Sequence, residues 1–287
     1  MSQPPACLAV RHRFRGPSVH LYEWGCAGHA GAHPDEEWTD AHEVVVPRRG
    51  AFQWDIRGER VLGHPGVATF LNPEDGYRVR HPVPGGDAGA VFQITAAELR
   101  TLLAEHDPSA ASCERPRFPA SHAPLDGRAY LLHHLAMRAA SDPAASAIEV
   151  EERSAAFLRA ALAYAFQARG APARNPAAFR RGRAAEVAAR VAEVIAVRYR
   201  EPLSLADLGR MVGASPFHLS RLVTAATGVP IYRMLQRRRL RGALEMLLET
   251  KESITRVALE HGFASHSHFT DAFRREFGVP PSRVRSR

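Results

Sequence analysis

The last hundred residues of the chain contain the same unit twice, about fifty positions apart. Leu205 to Pro230 reads LADLGRMVGASPFHLSRLVTAATGVP, and Ile254 to Pro280 reads ITRVALEHGFASHSHFTDAFRREFGVP. Each copy has an apolar-periodic stretch, a turn glycine (Gly213 or Gly262), a serine and a second amphipathic stretch that ends at Gly-Val-Pro. This order predicts a helix, a tight turn and a second helix, twice in one small domain.

The second helix of such a motif lies in the major groove of DNA, so the repeat predicts DNA binding. In the first copy Ser215 suits a helix N-cap and Pro216 suits the first helical position. The apolar stripes that follow are expected to face the domain core. They comprise Leu219, Leu222, Val223 and Ala226 in the first copy and Phe269, Ala272, Phe273 and Phe277 in the second.

The opposite faces of these two helices carry side chains that can form hydrogen bonds with base edges. We predict base-facing side chains at Phe217, His218, Ser220 and Arg221 in the first copy and at Ser267, His268, Thr270 and Asp271 in the second. Arg221 could contact guanine with two hydrogen bonds, and the Thr270 methyl or the Phe217 ring could pack on a thymine methyl. The alternative is that these are ordinary polar faces of surface helices. Two such faces in register within one basic domain favour DNA recognition.

The charge of the chain is uneven. The formal net charge is +8, and residues 185–287 hold 17 Lys and Arg against 10 Asp and Glu. Residues 1–184 are almost balanced, with 21 basic and 20 acidic side chains. An arginine-rich genome would raise arginine in both halves, so the imbalance predicts that the C-terminal half contacts phosphate.

The segment Ile231–Glu249 between the two copies has apolar residues at helical intervals. A helix of this length spans roughly 28 Å. It could therefore place two recognition helices in successive major-groove segments, which lie about 34 Å apart. We predict phosphate contacts at Arg237, Arg239, Arg274 and Arg275. Other arginines of the segment could be solvated or paired with Glu245.

The N-terminal part is interrupted every few residues by Gly, Pro, Asn or Asp. Short β-prone runs lie between the interruptions, at 42–46, 51–56, 67–71, 77–80 and 90–94. Such runs predict a small β-barrel or sandwich. Helical periods follow at 95–106, 125–140 and 148–168.

The predicted fold class is α+β with two domains. The N-terminal region covers 1–168, with a β part at about 19–95 and a helical part at about 96–168. A linker rich in Pro, Gly, Ala and Arg covers 169–184, and an all-α DNA-binding domain covers 185–287.

Three cysteines, Cys7, Cys26 and Cys113, have neither zinc-finger spacing nor the even number of a disulfide framework. They indicate a reducing compartment, with redox sensing by a thiol left open. The sequence has no signal-peptide pattern and no apolar stretch of membrane-spanning length. We therefore expect a soluble, cytoplasmic protein.

The C-terminal sequence resembles the DNA-binding domain of the AraC/XylS family of bacterial transcription regulators. The resemblance rests on LSLADLGRMVGASPFHLSRL, on the spacer RRRLRGALEMLLET and on ITRVALEHGFASHSHFTDAFRREFGVPPSRVR. It implies two helix-turn-helix subdomains, joined by one long helix, that bind neighbouring turns of promoter DNA. The base-facing positions that it implies are Phe217, Ser220 and Arg221, then Ser267, His268 and Asp271. Asp271 departs from the family pattern: it could accept from cytosine, or the second motif could contribute little to base recognition.

The N-terminal region resembles the cupin-like sensor domain of such regulators, through its short strands and the run GHPGVATFLNP at 63–73. A metal cupin would supply clustered His and Glu ligands, but His29, His33 and Glu37 lack that compact spacing. The other candidate histidines, His20, His42, His64 and His81, are scattered along the sequence. We expect no metal and no cofactor. The predicted effector site comprises Trp54, Tyr77 and Arg78, because small-molecule sites are mostly apolar with a few polar groups.

The leading functional prediction is a transcription regulator without catalytic activity that binds double-stranded promoter DNA. RNA polymerase, a small-molecule effector and a second copy of the chain are further candidate partners. The helices between Leu125 and Ala168 could mediate self-association or pack on their own β part. One alternative function is a metal-dependent cupin enzyme with a DNA-binding tail. Another is a DNA-repair or architectural protein, for which Cys113 would be the candidate reactive residue.

Overall fold

A computed structural model describes residues 8–27, 31–32, 36–81, 86–169 and 183–285 of the chain. The chain folds into two compact units. The first comprises residues 1–125 and 132–178, and the second comprises 126–131 and 179–287. Most of the predicted linker, 170–182, lies outside the described residues, so the predicted domain boundaries stay predictions.

The strands of the first unit form two antiparallel sheets. They are β1 (Leu8–Arg15), β2 (Val19–Cys26), β3 (Gly31–Ala32), β4 (Glu37–Trp38), β5 (His42–Arg49), β6 (Phe52–Ile56), β7 (Glu59–Gly63), β8 (Val67–Leu71), β9 (Gly76–His81), β10 (Asp87–Ile94) and β11 (His122–Pro124). The first sheet has the order β1-β2-β10-β5-β8-β11. The second has the order β3-β9-β6-β7, and β4 also pairs with β9.

Apolar side chains from both sheets form one core. Val45, Val67, Leu71 and Val91 of the first sheet pack with Phe52, Trp54, Ile56 and Val61 of the second. In the described ranges the sheets keep separate edges and do not close into a barrel. Of the two predicted β architectures, the structure therefore has the sandwich form, and the predicted combination of a β-rich N-terminal region with a helical C-terminal domain is confirmed.

The five predicted β-prone runs all lie on strands, but the predicted β part begins too late. Strand β1 precedes Val19 and was not predicted. Within the described residues β1 pairs with β2 alone, at the edge of the sheet, and its charged sequence LAVRHRFR is typical of edge strands. The Arg57–Gly58 turn joins β6 to β7, and both residues have positive φ, 49° and 75°, as a tight two-residue hairpin requires.

Helices follow the strands. They are α1 (Ala96–Ala104), α2 (Gly127–Ser141) and α3 (Ala147–Arg169), with a short 3₁₀-helix at Pro108–Ser112. Thr95 caps α1 by accepting a hydrogen bond from the Glu98 amide at 3.2 Å. All three helices lie within two residues of their predicted positions.

The second unit is helical. Its helices are α4 (Arg183–Arg198), α5 (Leu205–Val212), α6 (Pro216–Thr227), α7 (Ile231–Glu249), α8 (Ile254–Glu260), α9 (His266–Phe277) and α10 (Pro281–Arg285). The sequence analysis did not predict α4, although Val187, Val191 and Ile195 recur at helical spacing and are buried. No helix in the described part of the chain has the length and apolarity needed to span a bilayer.

Candidate nucleic-acid interface

The first motif consists of α5, a turn and α6. It begins with a capping box, in which the Ser204 hydroxyl accepts from the Asp207 amide at 3.1 Å. The Asp207 carboxylate accepts from the Ser204 amide at 2.9 Å in return. These two bonds satisfy backbone donors that the start of a helix leaves without partners, and they fix where α5 starts.

Two glycines make the turn between α5 and α6 tight. Gly213 has φ of 70°, in the left-handed region where other residues are strained. At Gly209 an added Cβ would lie 2.4 Å from the carbonyl oxygen of Ala214, so only glycine fits there. Ser215 then caps α6 by accepting from the His218 amide at 3.4 Å, and Pro216 takes the first helical position. The predicted start of α6 is therefore confirmed.

The second motif, α8 to α9, uses the same devices. Ser253 accepts from the Arg256 amide at 3.1 Å and caps α8. Gly262 has φ of 74° in the turn. Ser265 accepts from the His268 amide at 3.2 Å and caps α9. The sequence repeat is thus a structural repeat.

The apolar sides of α6 and α9 are buried in the second unit. All four residues predicted to be buried on α9 are buried. On α6, Leu219 and Val223 are buried as predicted, and Leu222 is half-buried. The prediction for Ala226 is wrong: it is exposed, and Thr227 is buried instead because its hydroxyl donates to the Val223 carbonyl at 2.8 Å.

The predicted base-facing side chains of α6 lie in its first two turns. Phe217 is 75% exposed, and His218 and Arg221 are also exposed, whereas Ser220 is half-buried. The Arg221 guanidinium carbon lies 5.8 Å from the centroid of the Phe217 ring. This contact across one helical turn holds a cation beside an exposed aromatic ring. Contact between these four side chains of α6 and DNA bases stays a prediction.

On α9 the four predicted base-facing residues divide into two kinds. Ser267, His268 and Asp271 are exposed. The Thr270 hydroxyl oxygen is buried and has no hydrogen-bond partner. In this rotamer Thr270 cannot offer its hydroxyl to a base, so we remove that hydroxyl from the predicted contacts.

Arg239 of α7 has a different role from the predicted phosphate contact. Its guanidinium donates to the carbonyl oxygens of Tyr199 at 2.8 Å, Glu201 at 2.9 Å and Gly262 at 3.3 Å. The first two follow α4, and the third lies in the turn of the second motif. Arg239 therefore ties α7 to the segment that follows α4 and to the turn of the second motif, and its donors are directed at the protein instead of at phosphate.

Arg238 adds a second anchor at the same place. Its guanidinium carbon lies 3.9 Å from the Tyr199 ring centroid, and its Nε donates to the Ala196 carbonyl at 3.2 Å. An added Cβ at Gly242 would lie 2.6 Å from the Tyr199 hydroxyl, so glycine lets Tyr199 approach α7. The sequence analysis missed this cluster because it treated the arginines of α7 as one group. The signal was the helical spacing of Arg238 and Gly242, which places them on one side of α7.

The remaining predicted phosphate contacts are accessible. Arg274 and Arg275 of α9 are exposed. The Arg237 side chain is 51% exposed, and its Nε lies 3.8 Å from the Glu276 carboxylate. These three arginines are accessible to phosphate. The long surface ion pair between Arg237 and Glu276 contributes little free energy, so losing it on DNA binding would cost little.

A cavity of about 200 Å³ opens in the first unit. Trp54 and Tyr77 line it as predicted, with their rings 4.7 Å apart between centroids. Arg78 does not line this cavity. It lies 3.7 Å from the Glu36 carboxylate, so we remove it from the predicted effector site. Residues that the sequence analysis did not assign also line the cavity, among them Cys26, Glu43, His81 and Asp87.

Comparison with known proteins concerns mainly the second unit. A family profile described as a helix-turn-helix domain matches residues 208–287. The HTH-type transcriptional regulator GlxA of Rhizobium meliloti (strain 1021) is 34% identical over 117 residues, which are 41% of this chain and 36% of that protein. The HTH-type transcriptional regulator ExsA of Pseudomonas aeruginosa is 36% identical over 87 residues, 30% of this chain and 31% of that protein. The C-terminal domain is an AraC-type helix-turn-helix domain.

A solved transcriptional regulator from Chromobacterium violaceum, described by its AraC-type DNA-binding domain, is 29% identical. The likeness covers 35% of this chain and 90% of that one, with a TM-score of 0.34. The chain spans about a third of the length of the two curated relatives named above. The similarity to these relatives therefore concerns the AraC-type domain. For the N-terminal unit, conclusions rest on its own structure.

One buried histidine of the AraC-type domain makes the stability of the domain depend on pH. His261 ends α8, is fully buried, and its Nδ1 lies 2.8 Å from the Val257 carbonyl. Burial, together with repulsion from Arg200 and Arg238, lowers the pKa of His261 to about 4. Between this value and the ordinary pKa of about 6.5, the unfolded chain binds a proton that the folded chain does not. The contribution of His261 to stability is therefore complete above pH of about 6.5 and is lost as the pH falls toward 4.

We expect the substitution His261→Gln to flatten the decline of the thermal unfolding midpoint between pH 7.5 and 5. The matched control is His218→Gln, which removes an exposed histidine of the same domain. Its midpoint should decline with pH as steeply as that of the unsubstituted chain. Equal slopes for all three proteins would contradict the assignment of His261.

Proposed function

We propose that the chain is a transcription regulator that binds double-stranded promoter DNA through α6 and α9. The observation that carries the proposal is the structural repeat: each motif has a capped, exposed second helix, and one helix, α7, joins the two motifs. The names of the relatives and the positive charge of the domain support it. The proposal includes no catalytic step, and it places the protein in the bacterial cytoplasm, where promoter DNA is found.

In this proposal the first motif supplies the most specific base contact. Arg221 is exposed and stands beside Phe217. Its planar guanidinium can donate two hydrogen bonds to O6 and N7 of guanine. Phe217, with its ring largely exposed, can pack on a neighbouring thymine methyl. In the second motif, Asp271 either accepts from a cytosine amino group or weakens binding by its charge.

The substitution Arg221→Ala should cost about 1–3 kcal/mol of binding free energy at the preferred site and relax the base preference at one position. Titration of the protein into labelled DNA duplexes that differ at single positions measures both effects. Arg210→Ala is the matched control, because Arg210 is an exposed arginine of α5 paired with Asp207. Arg210→Ala should leave base preference unchanged. An equal loss of affinity for every duplex after Arg221→Ala would contradict a base contact.

Phosphate contacts should come from Arg237, Arg274 and Arg275. Such contacts release counterions, so affinity falls as salt rises. The substitution Arg237→Ala should weaken binding to all sequences alike and reduce the slope of log affinity against log salt by about 1. A slope that does not change would remove Arg237 from the interface.

Arg239→Ala is the matched comparison on the same helix. Because the Arg239 guanidinium bonds to three backbone carbonyls, we expect its loss to lower the thermal stability of the domain. The salt slope should stay as it is for the folded protein. A reduced slope with unchanged stability would restore Arg239 as a phosphate contact.

The proposed regulation uses the cavity of the N-terminal unit. Its lining is mainly aromatic and aliphatic, as is usual for small-molecule sites. We propose that a small molecule binds there and shifts the population of a DNA-competent state, which requires unequal affinity for the two states. Self-association and contact with RNA polymerase belong to the same proposal.

A small molecule that changes DNA affinity should lose its effect after Trp54→Ala or Tyr77→Ala, because both rings line the cavity. Arg78→Ala is the control, since Arg78 lies on the same strand as Tyr77 but outside the cavity lining. DNA titrations with a panel of small metabolites provide the measurement. A response that survives both cavity substitutions and fails with Arg78→Ala would place the effector elsewhere.

A further inference from the structure

Three side chains with metal-binding atoms meet at the cavity of the first unit. Cys26 ends β2, and Asp87 begins β10 directly opposite it in the antiparallel pairing. Opposite residues in such a pair project to the same face of the sheet. His81 ends β9 of the other sheet. The Cys26 sulfur, a His81 ring nitrogen and an Asp87 oxygen all lie within 4.8 Å of one another.

Asp87 is buried, with the His81 side chain as its close partner. It is only 5% exposed, and both carboxylate oxygens are buried and accept no hydrogen bond. The His81 Nε2 lies 3.0 Å from one of these oxygens and forms an ion pair with it when the imidazole is protonated. A buried carboxylate is costly unless it is paired or coordinates a metal. The surroundings of Asp87 therefore favour direct contact with a cation.

The three groups suit one class of cation. Thiolate, imidazole and carboxylate together are ligands of zinc and of related divalent transition metals. The bond lengths of a tetrahedral zinc site place its ligand atoms about 3.4–3.6 Å apart. The most distant of the three atoms would have to approach by up to about 1.4 Å, and the His81 and Asp87 atoms, 3.0 Å apart, would have to separate slightly; side-chain rotations can supply shifts of this size. Three protein ligands leave a fourth position for water or for a small molecule in the cavity.

We propose that Cys26, His81 and Asp87 bind a thiophilic divalent cation of the zinc class. The ion bridges the two sheets at the cavity, because two ligands come from the first sheet and one from the second. The sequence analysis predicted no metal: His29 and His33 lie outside the described residues, and His81 was grouped with the scattered histidines. The proposed ligand set uses neither of them.

This inference does not depend on DNA binding, since the test uses the full-length protein without DNA. The chain is stripped of metal with a chelator, and then Co²⁺ and Zn²⁺ are titrated into it separately. We expect one Co²⁺ per chain, with a thiolate-to-cobalt charge-transfer band in the near ultraviolet, which Zn²⁺ then abolishes by displacement. Binding should release the thiol proton of Cys26, so the heat of binding should vary with the ionisation enthalpy of the buffer.

Two substitutions test the ligands. Cys26→Ser should abolish the charge-transfer band, and Asp87→Asn should weaken Co²⁺ binding at least about 100-fold, beyond the effect of residues that only orient a ligand. Cys113→Ser is the matched control, since Cys113 is exposed and lies outside the cluster. It should leave both band and affinity unchanged.

A thermal measurement keeps the test valid if a variant folds poorly. The unfolding midpoint of Asp87→Asn is measured first without metal, because the substitution also removes the ion-pair partner of His81 and can lower stability by itself. Added Zn²⁺ should raise the unfolding midpoint of the unsubstituted chain and leave that of Asp87→Asn unchanged. No bound Co²⁺ in the stripped chain would overturn the proposal and leave His81 and Asp87 as an ion pair. Loss of the band in Cys113→Ser, or its retention in Cys26→Ser, would also overturn it.

Discussion

The attachment of α7 to the end of α4 is the interaction on which the DNA-binding unit depends. Arg239 donates to the backbone carbonyl of Tyr199, which follows α4, and to that of Gly262 in the turn of the second motif. Arg238 lies against the Tyr199 ring. Each of these bonds uses a backbone carbonyl as acceptor, so together they attach α7 to the end of α4 and to the second motif. The helix α7 itself joins the second motif to the first.

This attachment has a direct consequence for recognition. Each short recognition helix offers only a few side chains, and Arg221 is the main candidate for a two-bond contact with a base. Two motifs at a fixed separation add their contacts without an entropic cost for aligning them. If α6 and α9 bind DNA as proposed, a fixed separation also restricts the sites to those whose halves have the matching spacing. We infer that specificity comes from spacing as much as from individual bases.

The features that could be predicted from the sequence are those that depend on residues close together along the chain. The turn glycine Gly213, the cap Ser215 and the apolar stripes fix both motifs, and only Ala226 was misassigned among the residues predicted to be buried on α6 and α9. What it did not predict depends on contacts between distant residues. Arg239 looks like any surface arginine until Tyr199 and Gly262 are placed beside it. Likewise Cys26 and Asp87 become neighbours only through the register of β2 and β10.

The most direct test of the central claim is selection of bound duplexes from a random DNA library by the full-length protein at one fixed salt concentration. The account predicts an asymmetric motif in two parts, separated by about one helical turn of DNA with a constant spacing. A single short motif, or two half-sites with variable spacing, would contradict the claim that α7 holds both motifs as one rigid unit. Preference for cytosine in the second half would further assign a base contact to Asp271.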